Sequence, residues 1–195
     1  MSGARQTPGR LTVLSGPSGV GKGTVISAVR RKHPDIWVSV SVTTRSARQG
    51  EIPGQTYHFI DGLDFDDLIA RGELLEWADY TGRRYGTPRV PVENMLASGC
   101  PALLEIDLDG ARQIRHEIPR AQLVFLAPPS WDELVRRLTG RGSETSDQVR
   151  ERLAKAREEM DAAKEFDVVL INDDVDRVAD ELADLVAKPV QQQSS

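Results

Sequence analysis

Residues 11–24 constrain this chain more than any other stretch. They read Leu-Thr-Val-Leu-Ser-Gly-Pro-Ser-Gly-Val-Gly-Lys-Gly-Thr, an apolar run followed by a glycine-rich loop that closes on Lys22 and opens a helix. Backbone N–H groups converge on an anion only where no Cβ blocks the approach, which is the use of Gly16, Gly19 and Gly21. Lys22 adds a point charge, and the helix from Thr24 onward adds a favourable dipole. This is the layout of a P-loop, with Gly16, Pro17, Ser18, Gly19, Val20, Gly21, Lys22, Gly23 and Thr24 around the phosphates of a nucleoside triphosphate. The usual pattern ends Gly-Lys-Ser/Thr, with the hydroxyl reaching magnesium. Residue 23 here is Gly, and the hydroxyl comes one place later at Thr24.

The spacing G-x4-G-K arises by chance in roughly one chain in twenty of this length. On spacing alone a plain strand-to-helix turn fits as well. The flanks decide for nucleotide binding, with an apolar run at Leu11–Leu14 before the loop and a helical pattern at Val25–Arg31 after it. Apolar runs recur at Ala102–Asp107, Leu123–Leu126 and Val168–Ile171, and helical stretches follow at Ala111–Glu117, Trp131–Leu138 and Val175–Ala187. That alternation indicates an α/β fold whose parallel sheet is covered on both faces, with ligands beyond the carboxyl ends of its strands. Capping-box spacing at Ser130-x-x-Glu133 and Thr145-x-x-Gln148 starts two further helices, the second running from about Ser146 to Lys164.

At 195 residues the chain is one domain of ordinary size. A net charge of −5 argues against a nucleic-acid or membrane partner. The lone Cys100 allows no internal disulfide, fits a reducing cytosol, and reads as a small buried residue at a strand start. No apolar run approaches the roughly 20 residues that span a bilayer, so a cytoplasmic protein is expected. Residues 1–10 read as a disordered polar arm and 188–195 as a tail, with one domain over 11–187. His33, His58 and His116 lack metal-ligand spacing, and His58 reads as a structural strand residue. Oligomeric state stays open between monomer and homo-oligomer.

Between the loop helix and Ala102 the texture changes. Trp37–Thr43 and Thr56–Ile60 alternate like half-exposed strands around a Gly/Pro-bearing turn, which predicts a small antiparallel insertion from Ser39 to about Pro91. It holds candidates for a second site. Arg45 and Arg48, with Tyr57 and Tyr85, can clamp a phosphate, or the two arginines are solvated loop charges. Glu76, between Leu75 and Trp77, either points to solvent or is half-buried with a partner. A buried carboxylate there suits guanine, whose N1–H and exocyclic amine are adjacent donors. Adenine presents an acceptor at N1 instead.

The chain resembles the guanylate kinases of bacterial type in nine motifs, which fall in family order over about residues 11–187. These are 15–22 (SGPSGVGK), 41–48 (SVTTRSAR), 50–59 (GEIPGQTYHF), 73–78 (ELLEWA), 85–87 (YGT), 104–107 (LEID), 125–130 (FLAPPS), 140–145 (GRGSET) and 171–174 (INDD). The resemblance implies a P-loop NTPase-type core (11–38, 92–130 and 165–187), a mainly antiparallel GMP-binding insertion (about 39–91) and a helical lid (about 131–164). It implies Mg²⁺-assisted transfer of the γ-phosphoryl group of ATP to GMP, and to dGMP. Arg45, Arg48, Tyr57 and Tyr85 would hold the GMP phosphate, while Ser41, Glu76 and Thr87 would read the guanine. Asp107 would order the Mg²⁺ shell, through water, with Thr24. Glu105 stands where many members carry Asp, one methylene shorter, on the GMP side. Arg137, Arg141 and Arg152 match the lid arginines, and Asn172 and Asp173 the loop near the adenine. Arg136 and Arg150 read instead as a solvated helix face.

Two other readings are open to such a chain. Guanylate-kinase-like scaffold domains bind phosphorylated peptides without catalysis, but they have generally degraded the loop that is intact here. A relative acting on another acceptor, a different nucleoside monophosphate or a sugar phosphate, would have no use for Ser41, Glu76 and Thr87 at a guanine edge.

Overall fold

The computed structural model of the chain describes residues 9–80, 82–139 and 146–188. Strand β1 (Leu11–Ser15) is the middle of a five-stranded parallel sheet. On one side of it lie β7 (Ala102–Glu105) and then β2 (Trp37–Val38), on the other β8 (Gln122–Ala127) and then β9 (Val168–Ile171). All five residues of β1 are buried, so its side chains serve two cores rather than one core and water. Leu14, Leu103, Val124 and Leu126 pack with α1 (Lys22–Lys32) and α7 (Val175–Ala187). Leu11, Val13, Leu104 and Leu123 pack on the other side with α3 (Arg89–Ala97) and α4 (Leu108–Glu117).

Helix α1 buries Val25, Ile26, Ala28 and Val29, one stripe at helical spacing, and places Arg30, Arg31 and Lys32 at its carboxyl end, where the dipole favours cations. Helix α5 (Trp131–Thr139) starts as its capping box predicts, Ser130 Oγ accepting from Glu133 N at 3.2 Å. Helix α6 (Ser146–Asp161) ends three residues before the expected Lys164, where the chain tightens into a 3-10 turn (Ala162–Glu165). The cap proposed at Thr145 lies outside the described residues. Among the described residues no helix is long and apolar enough to cross a membrane.

The alternating run Trp37–Thr43 is not one half-exposed strand. Its first part is β2, paired with β7 through Trp37 and Val38, and Ser39 N still donates to Leu103 O at 3.0 Å. Its second part, β3 (Ser41–Thr43), belongs to another sheet, of order β4-β3-β6-β5, with β4 (Tyr57–Phe59), β5 (Leu74–Tyr80) and β6 (Arg83–Pro88). Within it β3 and β4 run parallel and the remaining pairs antiparallel. Helix α2 (Gly62–Ala70), which the sequence reading did not find, is capped by Asp61 and covers one face through Phe65.

A bulge in β5 decides what the other face presents. Leu74 pairs with Pro88 and Glu76 with Thr87, so Leu75 is an extra residue. The bulge therefore puts Leu74 and Glu76 on opposite faces of the sheet. Leu74 packs with Val42 and Phe65 under α2, and Leu75 joins the α3–α4 core. Cys100 corrects the expectation of a buried residue: it is exposed, because β7 begins two residues later at Ala102. Gly9 and Arg10, the end of the segment read as an arm, are held by main-chain bonds, Gly9 N to Leu96 O and Ala102 N to Arg10 O.

Candidate active site

Three carboxyl ends of the central strands meet at the loop after β1. Because β1 lies between β7 and β8, Leu14 pairs with Glu105, and Ile106 N donates to Leu14 O. Beyond β9, Asn172 N donates to Ala127 O, which brings that strand's end alongside. Glu105 ends β7, and Asp107 is not the strand residue expected but the N-cap of α4, its carboxylate accepting from Gly110 N at 2.8 Å.

The loop has the strained backbone that glycine permits. Gly16 has φ 147° and a Cβ there would lie 2.3 Å from Leu126 O, while Gly21, the N-cap of α1, has φ 100°. Gly23 carries no such demand. A Cβ at that position would meet Glu105 Oε1 at 3.7 Å, an ordinary contact, so nothing in the structure requires glycine there. Thr24 is exposed in the first turn of α1.

Lys22 lies back over the loop, donating to Gly16 O and, at 3.3 Å, to Pro17 O. Burial lowers its pKa, against the opposing pull of Glu105, Glu159 and Asp107. Glu159 of α6, to which the sequence reading gave no role, is buried and accepts from Ser18 N at 2.9 Å. Burial raises its pKa, with Ser18 N–H, Lys22 and Lys155 pulling the other way. A cleft of about 320 Å³ opens beside it, lined in part by Tyr80, Asp107, Lys155 and Glu159. Glu159 lies three residues after the buried Ala156, on the inner face of α6, a placement that only the fold reveals.

Of the three arginines expected in a lid, Arg137 reaches the loop. Its Nε donates to Glu133 and its Nη1 to Val20 O at 3.0 Å. Val20 O also accepts from Asn172 Nδ2 at 2.8 Å, and Asn172 is buried with its Oδ1 unpartnered. Asp173 sits apart, paired with Arg177, which lowers its pKa. Arg152 is half-buried on α6, close enough to Tyr80 to oppose the rise that burial imposes on that phenol. Arg136 is exposed and paired with Glu133. Arg141 lies outside the described residues.

Glu76 is 4 % exposed and accepts from Thr87 Oγ1 at 2.6 Å, which resolves its two sequence readings in favour of burial with a partner. The register pairs Val42 with Gly86 and Thr43 with Tyr85, so Ser41 falls opposite Thr87. Ser41 also pairs with Tyr57. Period two then puts Ser41, Tyr57, Glu76, Tyr85 and Thr87 on one face of the small sheet. Burial pushes the Glu76 pKa up to about 7, helped by the nearby Asp107 carboxylate and opposed by Thr87.

Arg45 stands on the same face. Its guanidinium lies 4.9 Å from the centroid of Tyr57 and 5.7 Å from that of Phe59. Glu51, which sequence reasoning passed over within its motif, takes both terminal nitrogens of Arg45 at 2.6 Å and also accepts from Arg48 N at 2.7 Å. The bidentate pair raises the Arg45 pKa and holds the Glu51 carboxyl below its usual range. Arg45 Nε is buried without a hydrogen-bond partner. An orphaned guanidinium donor of this kind fits an oxyanion. Arg48 is exposed and joins this group through its main chain. Burial pushes the Tyr57 phenol up to about 12, with Glu105 contributing next, so Glu105 is near enough to act on both Lys22 and the tyrosine. His58, between two of these aromatic residues, is exposed.

Among the described residues no group of three or more His, Cys, Asp or Glu side chains is arranged to hold a metal. The donors near Lys22 are oxygens, Asp107 and Glu105, which suit a hard cation held mainly by phosphates and water.

Comparison with known proteins gives a consistent neighbourhood. The family model described as "Guanylate kinase" matches residues 8–189. The chain is 61 % identical over 182 residues to a guanylate kinase of Thermobifida fusca, covering 93 % of each chain. It is 60 % identical over 173 residues to one of Streptomyces coelicolor, covering 89 % of this chain and 88 % of that one. A crystal structure of guanylate kinase from Anaplasma phagocytophilum superposes with a TM-score of 0.80 at 32 % identity, covering 96 % of this chain and 89 % of the other.

Proposed function

The chain belongs to the guanylate kinase family, an ATP-dependent kinase of GMP, and from that premise we propose how its residues divide the work. An oxygen of the GMP phosphate attacks the γ-phosphorus of ATP, the bond to the β–γ bridging oxygen breaks, and ADP and GDP leave. The protein's part is to bring two anions into line and neutralise the charge between them.

The loop from Gly16 to Thr24, with Lys22, takes the ATP phosphates. On this reading they displace Glu159 from Ser18 N and draw Lys22 away from its carbonyls. Asn172 supports the loop from beneath through Val20, and Asp173 lies on the adenine side. Arg45, Arg48, Tyr57 and Tyr85 hold the GMP phosphate, which takes the Nε edge that Glu51 leaves open on Arg45. Ser41, Glu76 and Thr87 read the guanine, and Glu105 contacts GMP from the end of β7. Arg137, Arg141 and Arg152 close over the phosphates from a lid of about 131–164, opposite an insertion of about 39–91 in the core. A Mg²⁺ ion would be held by Asp107 through water and by Thr24, and it supplies charge neutralisation on the phosphates. Acceptance of dGMP and a cytosolic setting belong to the same proposal, the latter on a lone exposed thiol that forms no disulfide. The phosphopeptide-binding alternative is not favoured, since the loop and Lys22 are intact.

The observation that carries this reading is the buried Glu76 on the same face as the Arg45–Tyr57–Tyr85 group. An ionised carboxylate accepts from guanine N1–H and the exocyclic amine, whereas its protonated form must spend one oxygen donating. KM for GMP should therefore fall as pH rises toward about 7, by nearly tenfold per unit, and level off above it. In Glu76→Gln that dependence disappears and GMP binds about 1–3 kcal/mol more weakly. Titration of the GMP phosphate, near pH 6, is common to both proteins and cancels in the comparison. The sign for stability is opposite to that for binding. The folded pKa lies above 4.5, so the folded state keeps a proton that the unfolded state has lost between pH 4.5 and about 7, and this group's contribution to stability falls as pH rises through that window. Equal KM–pH profiles for the two proteins would remove Glu76 from the guanine site.

A further inference from the structure

The base-reading carboxylate does not hold its own position, and its support comes from a helix of the core. Glu76 lies against the first turn of α4. An ideal Cβ on Gly110 would fall 2.3 Å from Glu76 Oε2, 3.0 Å from its Cδ and 3.3 Å from Asp107 Oδ1. Gly110 is itself buried, and its amide is the one that Asp107 caps. Any side chain at this position competes with the carboxylate for the same space. The helix backbone is pinned by its cap, whereas the Glu76 carboxylate is the end of a rotatable arm, so the carboxylate is the group that yields.

One turn further along α4, Gln113 Nε2 donates to Trp77 O at 2.7 Å and Gln113 Oε1 accepts from Trp77 N at 3.1 Å. Strand β5 is the edge of the small sheet, so Trp77 has no neighbouring strand on that side. The Gln113 amide makes the pair of bonds that a neighbouring strand would make, directly after Glu76. Two residues of one helix face, three apart, thus address consecutive residues of β5, one by leaving room and one by fixing the main chain.

We infer that Gly110 and Gln113 are positioning residues for guanine recognition, setting from α4 where the Glu76 carboxylate meets the base. The inference rests on the reading of Glu76 as the group that takes guanine N1–H and its exocyclic amine. Inosine monophosphate keeps the first donor and lacks the second, so the preference for GMP over it reports whether both carboxylate oxygens are in place.

The test is steady-state kinetics of the full chain with GMP, inosine monophosphate and ATP, for Gly110→Ala, Gln113→Met and Glu76→Gln. Gly110→Ala should raise KM for GMP by about tenfold or more and cut the preference for GMP over inosine monophosphate by a similar factor. KM for ATP should stay within about twofold, and the thermal midpoint without nucleotide should hold or rise, since alanine favours a helix. Gln113→Met, at an exposed position, should show the same pattern more weakly, about threefold to tenfold. If Gly110→Ala leaves the preference unchanged, or raises both KM values alike, the inference is wrong. Should that variant fail to fold, the same two outcomes for Gln113→Met decide. If Glu76→Gln shifts the preference and the α4 variants do not, the inference alone fails. If Glu76→Gln does not shift it, the reading of Glu76 fails and the inference with it.

Discussion

Replacing Lys22 with alanine is expected to lower kcat by about 10³-fold or more, about 4 kcal/mol of transition-state stabilisation, while GMP binding stays within a few-fold of the parent. The split follows from where the ammonium lies. It is held at the start of α1 against the loop, bonded to Gly16 O and Pro17 O, with Glu105, Glu159 and Asp107 near enough to oppose its loss of pKa. None of its hydrogen bonds reaches the small sheet. The migrating phosphoryl group needs positive charge beside it, and Lys22 is a cation of the loop's own sequence. The checks are single-turnover kinetics for the chemical step and calorimetry for GMP. A variant that turned over normally would remove the P-loop assignment, and one that lost GMP binding equally would mean that Lys22 organises both sites.

Arg45→Met should raise KM for GMP by about 10²-fold, about 3 kcal/mol, with KM for ATP nearly unchanged. Arg45 is 9 % exposed, stacked on Tyr57 and Phe59, and fixed by a bidentate bond to Glu51. A guanidinium held this way loses little entropy when it meets a phosphate, and its Nε is already buried without a partner. Arg48→Met should cost much less, about tenfold, because that side chain is exposed. The pair of variants is the informative comparison. Equal losses would place the phosphate at the outer edge of the loop and not against the stacked arginine.

Legibility in the sequence tracked how local each feature is. The loop after β1, the strands Leu123–Leu126 and Val168–Ile171, and the cap at Ser130 are fixed by contiguous residues, and each appears within a residue or two of its predicted place. Trp37–Thr43 misled because alternation says that one face is favoured without saying which sheet receives it, and the chain changes sheets at Ser39–Val40. For Glu76 the sequence leaves two environments open, for a different reason. Its burial depends on a bulge at Leu75, which breaks the period-two rule that sequence reading relies on. Helix α3 carries Pro91 in its first turn, a residue that reads as a breaker and is tolerated there because early helical N–H groups have no partner to lose. Contacts between distant parts of the chain left no local trace. Gly110 against Glu76, Gln113 on Trp77 and Glu159 on Ser18 each join segments that only the fold brings together.

The central claim is that one face of the small sheet selects guanine for a phosphoryl group held at the loop. The direct measurement is ADP formation from Mg·ATP by the purified protein, offered GMP, AMP, CMP, UMP or no acceptor in parallel. The account predicts strong turnover with GMP and only background with the other acceptors. Comparable turnover with AMP would contradict the role given to Glu76. Absence of turnover with GMP still bound would contradict the assignment of the loop, and Gly23 would be the first residue to change.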